Sequence, residues 1–188
     1  MLTGGAAIYT LWNAADHGQI NPQTTAADGY FSFYTLPGTY QLEVSKADYQ
    51  PYRSWELAVT DEPVHYDVPL TPELSVTPNY TITLGAGGFN PPILTVTPGT
   101  VIAWLNTNAG SHTTTSITPT VSYGGAAPTM LVSSQGWDSG LLAMSASYQR
   151  QLDTPGIYTY YDYENPDHTG ILIVEYQIYL PLVLRDSS

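Results

Sequence analysis

The 188-residue chain has no cysteine. Disulfides and thiolate metal ligands are excluded, and neither an oxidising nor a reducing compartment is favoured. Cations are scarce too: four Lys and Arg stand against sixteen Asp and Glu, a formal net charge of −12. So few cations cannot track a phosphate backbone, which argues against nucleic acid as a partner, and anionic lipid surfaces repel such a chain. No stretch reaches the roughly 18 consecutive apolar residues of a membrane-spanning helix. No basic segment followed by an apolar run opens the chain, as a secretion signal would. Helical periodicity is nearly absent; the best candidate, residues 56–62, is short and carries β-branched residues.

What is present favours strands and turns. There are sixteen Tyr, fifteen Pro and sixteen Gly, and apolar residues alternate with polar ones in short runs broken by Gly, Pro, Asn and Asp. Such runs occupy 6–12, 30–36, 39–45, 64–70, 80–86, 93–98, 101–106, 147–152, 156–162 and 171–180. Many short strands at this spacing predict an all-β chain of sandwich type. The segment "DVPLTPELSVTPNYT" holds three prolines and little apolar content. Proline cannot continue a central strand, so the segment divides the chain into two tandem β-sandwiches. The expected units are residues 1–72, a linker at 73–78, a second unit at 79–175 and an apolar tail at 176–188. The low charge and the abundance of Thr and Tyr predict an extracellular or cell-surface protein.

Few motifs carry chemistry by themselves. Asn79-Tyr80-Thr81 is an N-glycosylation sequon. The run Thr113–Thr115 fits either O-glycans or ordinary β-propensity. The "GAGG" at 85–88 lacks a lysine and a following helix, so it is not a phosphate loop. No serine sits in a Gly-flanked elbow, and the paired carboxylates of "DEP" and "YENPD" lie in turn-like, polar settings. The expectation is a protein without enzymatic activity. His17 and His65 stand apart without a motif and read as surface or turn residues. Trp104 in "VIAWLN" reads as core.

Two stretches resemble known families. "TTAADGYFSFYTLPGTYQLEVSKADYQPY", together with the 5–11 strand, resembles the carboxypeptidase regulatory-like family. That resemblance implies a transthyretin-like sandwich acting as an accessory unit, in which only Met1 to Gly4 stand where a further strand usually precedes. From residue 89 onward, "GFNPPILTVTPGTVIAWLNTNAGSHTTTS" and "WDSGLLAMSASYQRQLDTPGIYTYYD" resemble the cupredoxin family, a plastocyanin-like Greek-key sandwich. The resemblance puts His112 at the first copper-ligand position. In the ligand loop, "YYDYENPDHTG", the thiolate position is held by Asp162. Without gaps the second His position is Asn165, the Met position His168 and the Gly position Gly170; with a lengthened loop, His168 becomes the second His. A blue-copper centre needs a thiolate for its colour and potential, and Asp162 cannot supply one. Two readings follow: His112, Asp162 and His168 hold copper or zinc through imidazole and carboxylate, with Glu164 and Asp167 as oxygen donors in reserve, or the site is vestigial.

The tail "YQIYLPLVLR" is apolar and β-prone, with Tyr176, Ile178, Leu180, Leu182 and Leu184 alternating. A free strand of this kind invites pairing. The expected partner is another copy of the chain, with the tail donated to the open edge of a first unit, an open contact that would propagate into a filament, so that the leading functional expectation is a structural or assembly protein and the alternative is a metal-binding one.

Overall fold

A computed structural model describes residues 10–116 and 136–176, and the backbone of 121–123. Tail positions Ile178, Leu180, Leu182 and Leu184 lie outside the described residues, as does most of the 6–12 strand candidate. Apart from one 3-10 turn, Ala14–His17, every regular element described is a strand. The first half contributes β1 (Gly38–Tyr40), β2 (Glu43–Val44), β3 (Tyr52–Arg53), β4 (Leu57–Val59) and β5 (Val64–Tyr66). The second contributes β6 (Tyr80–Gly85), β7 (Gly88–Asn90), β8 (Ile93–Val96), β9 (Thr100–Asn106), β10 (Val121–Tyr123), β11 (Ser147–Leu152), β12 (Gly156–Asp162) and β13 (Asn165–Val174).

The second half is a two-sheet sandwich. One sheet runs β11-β9-β6-β7 and the other β12-β13-β8. Most neighbours are antiparallel, but β6 pairs parallel to β9 and β8 parallel to β13. Residues 93–106 were expected as two strands about a Pro-Gly turn; the turn forms, and it carries the chain from one sheet to the other. Period-two alternation sets the inner faces. Ile82 and Leu84 of β6, Ile102 and Trp104 of β9, Tyr148 and Leu152 of β11, Tyr160 of β12 and Leu172 and Val174 of β13 close one core. Trp104 is fully buried at its centre, with ring centroids 5.2 Å from Trp137, 5.7 Å from Tyr160 and 6.0 Å from Tyr148. Aromatic pairs at these separations add to area burial, so the core aromatic expected in "VIAWLN" is also its hub.

The first half is less regular. β1 pairs with β4 and β2 with β3. The strand expected over 30–36 does not form. Instead the side-chain amides of Gln19 and Gln23 serve as strand neighbours. Gln19 accepts the Tyr34 N–H (2.8 Å) and donates to the Tyr34 carbonyl (2.7 Å). Gln23 treats Ser32 in the same manner, at 3.4 Å and 2.6 Å. Each amide satisfies one residue's donor and acceptor, which removes the need for a backbone ladder there. His17 stacks on Trp12 and His65 faces Asp67 at 3.1 Å, so both stay outside the core.

The two halves touch extensively. β5 pairs with β10, a strand from the second half of the sequence. Pro72 bridges back to Tyr49, and the Glu73 N–H donates to the Asp48 carbonyl, so the start of the proline-rich segment is tied to the first half. Gln50 exchanges hydrogen bonds with the backbone of Gln149, and Thr71 meets the Tyr148 hydroxyl at 2.9 Å. At the centre of the contact the Tyr52 hydroxyl donates to Asp138 Oδ2 at 2.7 Å and is itself linked to the Tyr66 hydroxyl. Thr115 Oγ1 donates to Asp138 Oδ1 at 2.8 Å, and the Gly140 N–H adds a third donor. Gly140 is required for this approach. Its φ is +62°, and a Cβ there would lie 2.5 Å from the Arg53 carbonyl oxygen and 3.0 Å from the Tyr52 ring.

Burial pushes the Asp138 carboxyl above the ordinary range, against the pull of Tyr52, Thr115 and Gly140. A raised folded-state value favours the neutral acid. The corresponding stability is fully present below the unfolded value of about 3.9 and is lost as pH climbs through the folded one. Denaturant titrations of the wild type and Asp138→Asn should therefore show the amide variant gaining relative to the wild type from pH 4 to pH 7. Asp138→Ala, which strands two buried hydroxyls, should cost about 2–4 kcal/mol at either pH.

Candidate metal centre

Asp162 ends β12, just past a register shift between Tyr161 and Asp162 in the β12–β13 hairpin. Two residues on from the buried Tyr160, its carboxyl group keeps to the inner face of the strand, where it is 1% exposed. A buried carboxylate needs donors on both oxygens. Oδ1 accepts the Thr113 N–H at 2.8 Å and, across the turn, the Glu164 N–H at 3.1 Å. Oδ2 accepts from His112 Nδ1 at 2.6 Å.

His112 is pinned by its backbone, which exchanges hydrogen bonds with Leu142 at 3.1 Å and 2.8 Å. The loop leading to it is shaped by the buried Asn106, whose amide donates to the Gly110 and Leu142 carbonyls and whose Oδ1 accepts the Asn108 N–H. On its far side, His112 Nε2 accepts from Asn108 Nδ2 at 3.0 Å.

His168 comes from β13. Its Nδ1 lies 3.7 Å from the same Asp162 Oδ2, and its Nε2 is 3.1 Å from Asn165 Nδ2. Its ring packs on Gly88, whose φ is +95° and whose missing Cβ would stand 3.3 Å from two ring carbons. The two imidazole centroids are 6.3 Å apart. Both rings thus present Nδ1 to one carboxylate oxygen and Nε2 to an asparagine amide.

The structure brings together all three residues expected from the sequence. Their ligand atoms lie within 4.8 Å of one another. Tetrahedral ligands at metal bonds of 2.0–2.1 Å stand about 3.3 Å apart, so small rotamer adjustments accommodate one ion. Two imidazoles and a carboxylate suit Zn(II) or type-2 Cu(II), whereas the donor set does not fit a thiolate-bound blue-copper ion. Of the reserve donors, Asp167 is exposed. The Glu164 carboxyl is held above its usual range by partial burial, then by Asp162 and Glu56, with His112 opposing. Asn165 enters as the hydrogen-bond partner of His168.

Sequence reasoning missed Asn108, Gly88 and the first half's share of the site. Nothing in "NTNAGSH" marks Asn108 apart from its neighbours. The Trp55 ring stacks on Tyr163, centroids 4.2 Å apart and 13° from parallel, so the first half covers the hairpin that carries Asp162. Asn79 is exposed, with Oδ1 accepting the Val101 N–H. It lies where β6 and β9 begin, at the opposite end of those strands from the Asn106–His112 loop. Thr113, Thr114 and Thr115 are fully buried, which overturns the O-glycan reading of that run. Their hydroxyls are structural: Thr114 Oγ1 accepts from Trp137 Nε1, and Thr113 Oγ1 accepts the Tyr163 N–H.

No family model matches the chain, and no curated protein matches it. Solved structures similar to it include cupredoxins. A methionine-to-alanine mutant of amicyanin in its Cu(I) form matches at 17% identity over 54% of this chain and 87% of that one, with a TM-score of 0.43. A purple cupredoxin from Nitrosopumilus maritimus matches at 20% identity over 52% of this chain and 100% of that one, with a TM-score of 0.40. What this chain's site can do follows from its own atoms.

Asp162→Ala should leave the Thr113 and Glu164 N–H groups and His112 Nδ1 without their acceptor. The expected loss is about 2–4 kcal/mol in urea denaturation, against about 1 kcal/mol or less for the more exposed His168→Ala.

Proposed function

We propose that this protein binds a single Zn(II) or Cu(II) ion through His112, Asp162 and His168, and that the ion ties the His112 loop to the β12–β13 hairpin. The reading is carried by one observation: two imidazole Nδ1 atoms converge on the same buried carboxylate oxygen, one at 2.6 Å and the other at 3.7 Å. A bound ion would supply charge compensation for Asp162 and a cross-link between loop and hairpin. Asp162 orients the His112 ring and faces that of His168, and Gly88 leaves room for His168. Without sulfur, rapid electron transfer of the blue-copper kind is not part of this function.

Protein purified without chelator should carry close to one equivalent of metal by elemental analysis. Saturating the metal-free protein at a hundred times its Kd should add about 2.7 kcal/mol, a gain of roughly 5–10 °C in Tm. His168→Ala should abolish that gain. Less than about a tenth of an equivalent, with no shift in Tm on adding either ion, would overturn the reading.

A second reading is supported by the surface of the first half. Leu11, Ile20, Tyr30, Tyr34 and Leu36 are each more than 60% exposed, and side-chain amides rather than a strand pair with Ser32 and Tyr34. On this reading residues 1–72 form a carboxypeptidase regulatory-like unit at the cell surface, and the tail from Tyr176 of another copy pairs with it. Deleting residues 176–188 should convert oligomers to monomers in light scattering; oligomers that persist, or a wild type that is monomeric at high concentration, would exclude it.

A further inference from the structure

The hydrogen bonds around His112 fix where its proton sits, and that placement bears on metal entry. Asn108 cannot present either end of its amide at will. Its Oδ1 accepts the Ala109 N–H at 2.8 Å, and its own N–H is held by Asn106 Oδ1 at 2.8 Å. Nδ2 is therefore the atom turned toward His112, and it donates to Nε2 at 3.0 Å. An Nε2 that accepts carries no hydrogen, so the hydrogen of the neutral ring is on Nδ1, where it is donated to Asp162 Oδ2 at 2.6 Å. The proton thus occupies the lone pair that a metal between His112, Asp162 and His168 would need. For Nδ1 to coordinate, the hydrogen must move to Nε2, where it would meet an N–H donor.

We propose that Asn108 is a positioning residue that sets the metal affinity of this centre, holding His112 in the Nδ1–H tautomer so that an ion must displace a hydrogen bond locked from both sides. The inference rests on the metal-binding reading and deepens it. The two rings differ in this respect. Asn165, the partner of His168, is exposed, so its amide is free to turn its oxygen toward Nε2. His168 is the ready ligand and His112 the guarded one. Ligating histidines are usually held by an acceptor on the non-ligating nitrogen, and exchanging such a partner changes affinity by about 10–100-fold. Here that partner is a donor, and the sign reverses: replacing Asn108 should strengthen binding.

The test uses the full metal-free chain and Zn(II) as the probe. Nitrogen NMR of the His112 ring should show Nε2 without hydrogen in the wild type and with hydrogen in Asn108→Asp, whose carboxylate accepts. Calorimetric titration should show Asn108→Asp binding Zn(II) at least about tenfold more tightly than the wild type. Asn108→Ala, which removes the donor without adding charge, should fall between them. Ala109→Asp places the same charge one residue away without touching Nε2, and should gain less than Asn108→Asp. Weaker binding in Asn108→Ala, as a merely structural role would give, overturns the proposal. So does equal gain from the two aspartates, or a wild-type Nε2 that already carries hydrogen. If Zn(II) binds none of the four proteins while Nε2 still gains its hydrogen in Asn108→Asp, the metal reading falls and the tautomer assignment stands.

Discussion

The carboxyl group of Asp162, buried at the end of a β-hairpin, is the constraint around which the described site is arranged. A carboxylate withdrawn from water is tolerated only where donors surround it. The chain supplies two backbone N–H groups and an imidazole, from two places in the sequence, the adjacent His112 and Thr113 and the hairpin's own Glu164. The polarity then spreads inward. Thr113, whose backbone holds Asp162, contacts Thr115 through its hydroxyl; Thr115 reaches Asp138, Asp138 accepts from Tyr52, and the Tyr52 hydroxyl meets that of Tyr66. One hydrogen-bonded path runs from the hairpin to the contact between the halves, beside an aromatic core that carries no charge. Networks of this kind are strong when every member is satisfied and costly when one is not.

Much of this was legible in the sequence, for identifiable reasons. Alternation in "YTITLG" and "SYQRQL" reports the inner face of a sheet, because period two is a property of the backbone itself, while the unbroken apolar run in "VIAWLN" marks a central strand buried on both faces. The convergence of His112, Asp162 and His168 could be anticipated from motifs laid out in order along the chain. The strand over 30–36 could not be refused from its own text, since its pattern is that of a strand; two glutamines just upstream, Gln19 and Gln23, satisfy the backbone of Tyr34 and Ser32 instead. Nor could Asn108 be found. Its role depends on which end of its amide faces the ring, and that is set by the Ala109 N–H rather than by residue type.

The donor chemistry decides the physical character of the site. A thiolate is soft, polarisable and able to share an electron with copper. A carboxylate is hard and accepts hydrogen bonds, and a proton competes for it with any metal ion that approaches. Much of the surrounding geometry makes sense as support for an anion: Thr113 and Glu164 aim their N–H groups at it, and among the described residues no lysine or arginine is hydrogen-bonded to it.

The pairing of β5 with β10 and the burial of Tyr52 against Asp138 have a consequence for how such a chain can be inherited and handled. A proline-rich stretch looks like a natural place to cut, shuffle or splice. Severing this chain there would separate a tyrosine from its only carboxylate acceptor among the described residues and strip a strand from its neighbour. The halves are thus bound to travel through recombination together, and a gene fragment encoding either one alone would yield a polypeptide with an open polar wound where its companion belongs.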